Sequence, residues 1–470
     1  MLSSAHRREG NNAFANNTFG SSGAHDAGGR HSHIMSNRMG KMVTGGLDRC
    51  ASGSLGAERQ LSWELVSALA RTHGESFYVF DEARFRKNFT RLGAAFTTRY
   101  QDTRIAYSYK TNYTPAICKI VDQMGGYAEV VSEMEYDLAR RLGVSGQHII
   151  YNGPYKSFRS VRSALHDGAI LNLDSMRDYA SVISVASEAP QRDFSVGLRC
   201  NFAVAEDCTS RFGFDTNGAE FWSVIEGIRS SPNVSLSGLH CHFPNRDLAS
   251  FGSRTVQMLD IASRVFPSPP AFLDIGGGFF GTMPESLQQT YKTRPPDFTQ
   301  YAETICSLLS TAYATSPTQP TLYIEPGTAM VADTLKFYSA VINIKSIKGR
   351  GIATVAGSIF NISPHSRVRH LPVRVIRSED SNGAARSSER FDIAGYTCIE
   401  DDYLTRGLSG PLKVGDFLEY SNVGSYSIVM KPPFILPNVP ILAISEEHRE
   451  VFVIRQGESA ADLFGSFLGL

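Results

Sequence analysis

Between residues 105 and 327 one pattern recurs eight times: IAYSYK (105–110), YAEVVS (127–132), IIYNGP (149–154), AILNLD (169–174), SVGLRCN (195–201), LSGLHCHF (236–243), FLDIGGGF (272–279) and LYIEPG (322–327). Each run is short, apolar and strand-like. The intervals carry apolar residues at helical spacing, as in EMEYDLARRLG (133–143), where Gly143 ends the helix. Eight strand-then-helix units in succession predict a closed (β/α)8 barrel of the TIM type, because that count closes the ring.

Outward from the barrel the character changes on both sides. Beyond about residue 335, FYSAVINIKSIK, GIATVAGSIF, FDIAGYTC, FLEYSNVG and VPILAIS alternate with Gly, Pro and Asp turns and few helical intervals, which reads as a C-terminal β-domain. The strand-like FYVF (77–80) can join that sheet, making the β-domain discontinuous. Residues 1–55, rich in Gly, Ser, Asn and His without apolar periodicity, read as a disordered extension. The expected division is therefore 1–55 extension, 56–87 segment joining the β-domain, 88–335 barrel and 336–470 β-domain.

Composition narrows the class of function. Forty-six Lys and Arg balance 46 Asp and Glu, which argues against a nucleic-acid groove or an anionic membrane surface as partner. No apolar stretch approaches the roughly 20 residues of a membrane span, and the N-terminus lacks a signal-peptide core. The seven cysteines are scattered and form no C-x-x-C pair, so neither a disulfide framework nor a zinc module is indicated. A cytoplasmic enzyme acting on a small molecule is the expectation.

In such a barrel the reactive groups gather where the strands end at their carboxyl side. Lys110, Asn152, Gly153, His240, His242, the glycines 276–278 and Glu325 all fall there. Desolvation at a strand end would lower the pKa of Lys110 and free its amine to attack a carbonyl; alternatively it is a lysine snorkelling to solvent. Gly276, Gly277 and Gly278 can bring backbone N–H groups up to an anion, or serve only as a tight turn. Glu325, set by Pro326 and Gly327, can face a protonated pyridine nitrogen or cap a turn. His240 and His242, spaced H-x-H, invite a metal reading; with no further His or Asp placed at matching strand ends, no metal is expected. Lysine, anion turn, carboxylate and histidine together fit pyridoxal 5'-phosphate better.

These motifs resemble the fold-type III pyridoxal-phosphate decarboxylases, which include diaminopimelate, ornithine/arginine and carboxynorspermidine decarboxylases. FYVFDEARFRKNF, AYSYKTN, AEVVSEMEYDLARRLGV, IIYNGPYKS, LNLDS, SRFGF, GLHCHF, LDIGGGF, EPG, GYTCIEDD and GDFLEYSNVGSY occur in family order from about residue 76 onward. The resemblance implies Lys110 as the cofactor lysine, His242 as the ring stacked on the pyridine, and Glu325 as the partner of its nitrogen. It implies Gly276, Gly277, Gly278, Ser210 and Tyr426 as the phosphate grip. Cys398 looks like the thiol that reprotonates the carbanion, supplied across the interface of a homodimer.

The departures fall at the substrate end. Thr328 stands where relatives have the arginine of EPGR, Ile399 replaces the acidic residue after the cysteine, and the R-P-x-L-Y pattern is missing. Arg367, with Asp402 and Thr328, is then a candidate for holding the substrate. The substrate is expected to be an amino acid or amino-acid conjugate, with a carboxypolyamine or a siderophore or antibiotic precursor in range. An amino-acid racemase on the same barrel and an inactive binding homologue are the competing readings.

Overall fold

The computed structural model describes residues 60–205, 210–365, 371–378, 390–445 and 450–468, so residues 1–55 and Arg367 lie outside the described part. β1 is Ser76–Asp81. The barrel strands are β2 (Thr103–Ser108), β3 (Tyr127–Val130), β4 (Ile149–Tyr151), β5 (Ile170–Leu173), β6 (Phe194–Asn201), β8 (Val234–His240), β9 (Phe272–Asp274) and β10 (Thr321–Ile324); β7 (Phe214–Asp215) is a two-residue addition to β6. Neighbouring strands are parallel throughout, and β10 pairs with β2 to close the ring.

The intervening helices form where the sequence places their signals. Helix Glu133–Arg141 has Ser132 accepting from the Glu135 N–H at its start, acids in the first turn, and Arg140 and Arg141 in the last, each complementing the helix dipole. Gly143, at φ +90°, ends the turn in a backbone region that glycine adopts freely.

Along a strand, residues two apart share a face, and this sorts the barrel interior into layers. Ala106, Ile150, Phe272 and Tyr323 form an apolar cluster with Tyr127 and Ile170 against it. Two residues further along the same strands come Ser108, Asn152, Asp274, Glu325, Glu129 and Asn172, all buried. A complete polar layer thus sits on an apolar plug. Gly238 makes room for the plug, since a Cβ there would fall 2.6 Å from the Phe272 ring.

The second sheet runs β15-β14-β12-β11-β1-β17-β18, with β16 joining β11 to β13; these are β11 (Leu335–Ile347), β12 (Arg350–Val355), β13 (Val373–Ile376), β14 (Arg390–Ala394), β15 (Tyr403–Ser409), β16 (Phe417–Tyr420), β17 (Ile441–Ile444) and β18 (Val451–Arg455). β1, which contains FYVF, lies inside it, antiparallel to β11 and parallel to β17. Phe77, Val79, Tyr338 and Leu442 of this sheet pack with Val66 and Leu69 of helix Trp63–His73 in a core of their own. No helix among the described residues is long and apolar enough to cross a membrane.

Candidate active site

The strands stop earlier than their apolar runs suggest. β2 ends at Ser108, β8 at His240 and β9 at Asp274, so Lys110, His242 and the glycines stand in the turns just beyond. Lys110 lies in a single 3-10 turn, Tyr109–Thr111, and its ammonium pairs with the buried carboxylate of Glu129 on the adjacent strand β3. Burial opposes the charge on Lys110, but the carboxylates of Glu129 and Glu325 outweigh it and the pKa is raised. This corrects the expectation of a lowered lysine pKa. Desolvation does act on the amine, but the neighbouring Glu129 carboxylate works against it.

From Lys110 a continuous chain of polar side chains crosses the barrel. Asn152 Nδ2 donates to Glu129 Oε1 at 3.1 Å and to Glu325 Oε1 at 2.5 Å, and Asn172 Nδ2 donates to Asn152 Oδ1 at 2.8 Å. Both histidines converge on Glu325: His240 Nε2 is 3.3 Å from Oε1, and His242 Nδ1 is 3.6 Å from Oε2. Burial raises the Glu325 pKa, but His240 and, to a smaller extent, Lys110 more than reverse it and hold the carboxyl well below its usual range. Burial, with the Glu325 charge beside it, pushes the pKa of Asp274 the other way, well above its ordinary value. Two carboxyls so close in a dry site do not both ionise.

His240, Asp274 and Glu325 bring ligand atoms within 4.8 Å of one another. This corrects the reasoning that no further acid accompanies the H-x-H pair: Asp274, at the end of β9 beside β8, does. The cluster belongs to the same polar layer around Glu325, and within it both ring nitrogens of His240 and Oδ2 of Asp274 are buried without a hydrogen-bond partner among the described residues.

The glycine turn is part cradle and part scaffold. The Gly276 N–H donates to Asp274 Oδ1 at 2.8 Å and the Gly277 N–H to His242 Nδ1 at 3.0 Å, leaving the Gly278 N–H without a partner among the described residues. Three amides were expected to face an anion; the turn itself engages two of them. The Gly277 bond occupies the Nδ1 lone pair, and burial lowers the His242 pKa further than Glu325 raises it, so the ring is neutral. A Cβ at Gly276 would lie 2.3 Å from the Cys241 carbonyl oxygen and one at Gly277 2.2 Å from that of Glu325, so the turn admits only glycine without movement.

The remaining candidates are placed unevenly. The Tyr426 N–H donates to the Thr111 carbonyl at 2.9 Å, setting Tyr426 beside Lys110 in a left-handed turn at φ +63°. The Ser210 hydroxyl accepts from the Phe212 N–H at 3.3 Å and its carbonyl from Asn201 at the end of β6; no hydrogen bond joins it to the glycine turn. Thr328 opens the short helix Thr328–Val331 behind Glu325. Cys398 is exposed and not in a disulfide, where a cysteine judged by type alone would be a small buried hydrophobe.

The Asp402 carboxylate is engaged by groups of its own chain. It accepts from Ser358 Oγ at 3.2 Å, Ile359 N–H at 2.8 Å, Thr397 N–H at 3.2 Å and Thr397 Oγ1 at 2.6 Å, and it is buried. With those acceptors filled it fixes the turn that carries Cys398. Asn152 stands at the strand end where the sequence places it, whereas Glu129, Asn172 and Asp274 are site residues that the motifs do not single out. The signal was available, since each stands two places beyond an inward apolar residue of its strand.

The residues present fit pyridoxal phosphate: an amine, a buried ionised carboxylate, a neutral imidazole and a Cβ-free turn with one uncommitted amide. The family model described as "Pyridoxal-dependent decarboxylase, pyridoxal binding domain" matches residues 83–332, more than half of the chain. Diaminopimelate decarboxylase of Methanothermobacter thermautotrophicus is 26% identical over 408 residues, covering 84% of this chain and 92% of that protein. The L-glutamyl-[BtrI acyl-carrier protein] decarboxylase of Niallia circulans is 22% identical over 426 residues, covering 86% of this chain and 96% of that protein. The crystal structure of diaminopimelate decarboxylase from M. jannaschii superposes with a TM-score of 0.76 at 23% identity, over 86% of this chain and 94% of that one. The chain belongs to the pyridoxal-dependent decarboxylase family, as a pyridoxal-phosphate-dependent carboxy-lyase acting on an amino acid.

Proposed function

We propose that this decarboxylase acts on an amino acid or amino-acid conjugate that need not be diaminopimelate, with Lys110, His242, Glu325 and the Gly276–Gly278 turn holding the cofactor. The observation that carries the residue assignments is the unbroken polar layer from Lys110 through Glu129 and Asn152 to Glu325. When bound, pyridoxal phosphate supplies the sink for the electron pair left as CO2 departs.

The chain's own groups then have separate tasks. Lys110 would hold the cofactor through its Nζ, and Glu129 keeps a proton at that nitrogen whenever it is free. Glu325, ionised beside His240, holds a proton at the pyridine nitrogen. The neutral His242 ring would lie against the face of the bound pyridine, and its hydrogen bond from Gly277 joins it to the turn that would hold the phosphate. The Cys398 thiol, on the turn braced by Asp402, delivers a proton to the substrate Cα.

Support for a shared site comes from Cys398 itself: it is exposed and makes no hydrogen bond to Lys110, His242 or Glu325. A homodimer in which the thiol reaches the other subunit's site accounts for that, and free cysteines suit a cytoplasmic, reducing setting. Mixing Lys110→Ala and Cys398→Ala chains should then restore CO2 release through heterodimers; subunit exchange without recovery would remove the shared site.

Thr328 and Ile399 alter the substrate end, so substrate is best found by CO2 release across diamino acids, carboxypolyamines, citryl conjugates and carrier-bound aminoacyl groups. Release from none of these, by protein that binds the cofactor, would refute the substrate class. Cys398→Ala should slow release while leaving cofactor bound, and an unchanged rate would reject its proton-donor role.

A further inference from the structure

Helix Leu248–Val265 packs outside the barrel wall and carries Arg254, whose exposure is 0%. A guanidinium buried to that extent is costly unless its donors are engaged. Here one side chain grips two turns. Nη1 donates to the Gly277 carbonyl at 3.2 Å and the Ile275 carbonyl at 3.5 Å, while Nη2 donates to the Asn245 carbonyl at 2.7 Å and to Ser250 Oγ at 3.1 Å. The guanidinium lies 4.0 Å from the centroid of the Phe251 ring and 5.7 Å from that of Phe243, which hold its plane.

The contact with Gly277 determines how the glycine turn faces. A trans peptide is planar, with its C=O and N–H on opposite sides, and no cis bond occurs among the described residues. Drawing the Gly277 carbonyl toward the helix therefore turns the Gly278 N–H away from it, toward the barrel axis. That amide is the one of the three without a partner among the described residues. A Cβ on Gly278 would meet the Asn245 carbonyl oxygen at 3.4 Å, so the second turn gripped by Arg254 also abuts this residue.

We infer that Arg254 is a positioning residue for the cofactor phosphate: from behind the glycine turn it orients the Gly278 amide, and its positive charge lies on the far side of the peptide that receives the anion. It acts through backbone, without touching the ligand. The inference rests on the proposal that this turn seats the phosphate. A planar fork is suited to the task because its donors reach several carbonyls at once, which a lysine ammonium cannot do in the same geometry.

The test compares two ligands that differ only in the phosphate. Full-length chain freed of cofactor is titrated with pyridoxal phosphate and with pyridoxal, in equilibrium dialysis, for wild type, Arg254→Met and Arg254→Lys, with thermal melting as the check on folding. Wild type should prefer pyridoxal phosphate strongly. Arg254→Met should lose about 10- to 100-fold in affinity for pyridoxal phosphate, the worth of a charge-assisted hydrogen bond. Its affinity for pyridoxal should be unchanged, and Arg254→Lys should fall between the two proteins. Phe251→Leu, which removes the stacked ring but keeps the charge, carries the same comparison if Arg254→Met does not fold.

If wild type binds the two ligands equally, the phosphate-seat reading fails, whatever Arg254 does. If wild type discriminates but Arg254→Met keeps its full preference, or loses both affinities in proportion, the role of Arg254 is overturned and the phosphate seat stands.

Discussion

Replacing Gly277 by alanine tests the geometry of the site through one added methyl group. The backbone there is not in the left-handed region, so the substitution is opposed by space alone. The new Cβ would lie 2.2 Å from the Glu325 carbonyl oxygen and 3.4 Å from His242 Cε1, whereas real Cβ contacts essentially never fall below 3.0 Å. The turn or the Glu325 backbone must therefore separate by at least 0.8 Å, the difference between those two distances. Both neighbours are groups assigned to the cofactor ring, and a misplacement of about 1 Å at a reacting centre costs on the order of 100-fold in rate. The expected result is a fall of about that size in kcat for CO2 release, with weakened cofactor binding by dialysis. Gly252→Ala is the matched control. It lies in helix Leu248–Val265, where its Cβ would meet only Thr304 Cγ2 at an ordinary 3.6 Å. That change should raise stability by about 0.5–1 kcal/mol in urea and leave kcat alone. A folded Gly277→Ala enzyme with wild-type kcat and cofactor affinity would refute the placement of ring and phosphate against this turn.

Other outcomes follow from the same contacts. Glu129→Gln removes the largest influence raising the Lys110 pKa while leaving its burial, so the neutral amine becomes available at lower pH; the rise with pH in the rate of cofactor uptake by apoprotein should move down, and an unmoved profile would reject the pairing. Asp178→Asn strands the buried ammonium of Lys156, which donates to Asp178 Oδ2 at 2.8 Å, and should cost about 3–5 kcal/mol in a denaturant titration. Lys156→Met in the same chain should recover most of that loss; no recovery would mean that the stranded charge is not the cause. Asp402→Ala should lower stability by about 3 kcal/mol, because several buried donors lose their acceptor. A changed KM at unchanged stability would instead return Asp402 to the substrate.

Much of the site was legible because a barrel strand has a period of two. Eight apolar runs determined the barrel, and their ends located Lys110, His242, the glycines and Glu325. The same period carried Glu129, Asn172 and Asp274, each two places beyond an inward apolar residue, although the motifs do not single them out. FYVF could be assigned to the later sheet from its strand character.

What the sequence could not contain is adjacency. Lys110 meets Glu129 because β2 pairs with β3, and Asn152 reaches Glu325 across the barrel interior although 173 positions separate them. Against the effect of burial, adjacency of this kind raises the pKa of Lys110 through Glu129 and holds that of Glu325 low through His240 and Lys110. Asp402 and Arg254 make the same point from outside the barrel: one carboxylate is taken up by neighbouring donors, and one helix arginine faces carbonyls of two distant turns. By itself the sequence determined which residues point inward, since that is a property of each strand. The tertiary structure decided what each of them faces, because pKa and hydrogen-bond partner depend on distances set by ring closure and helix docking.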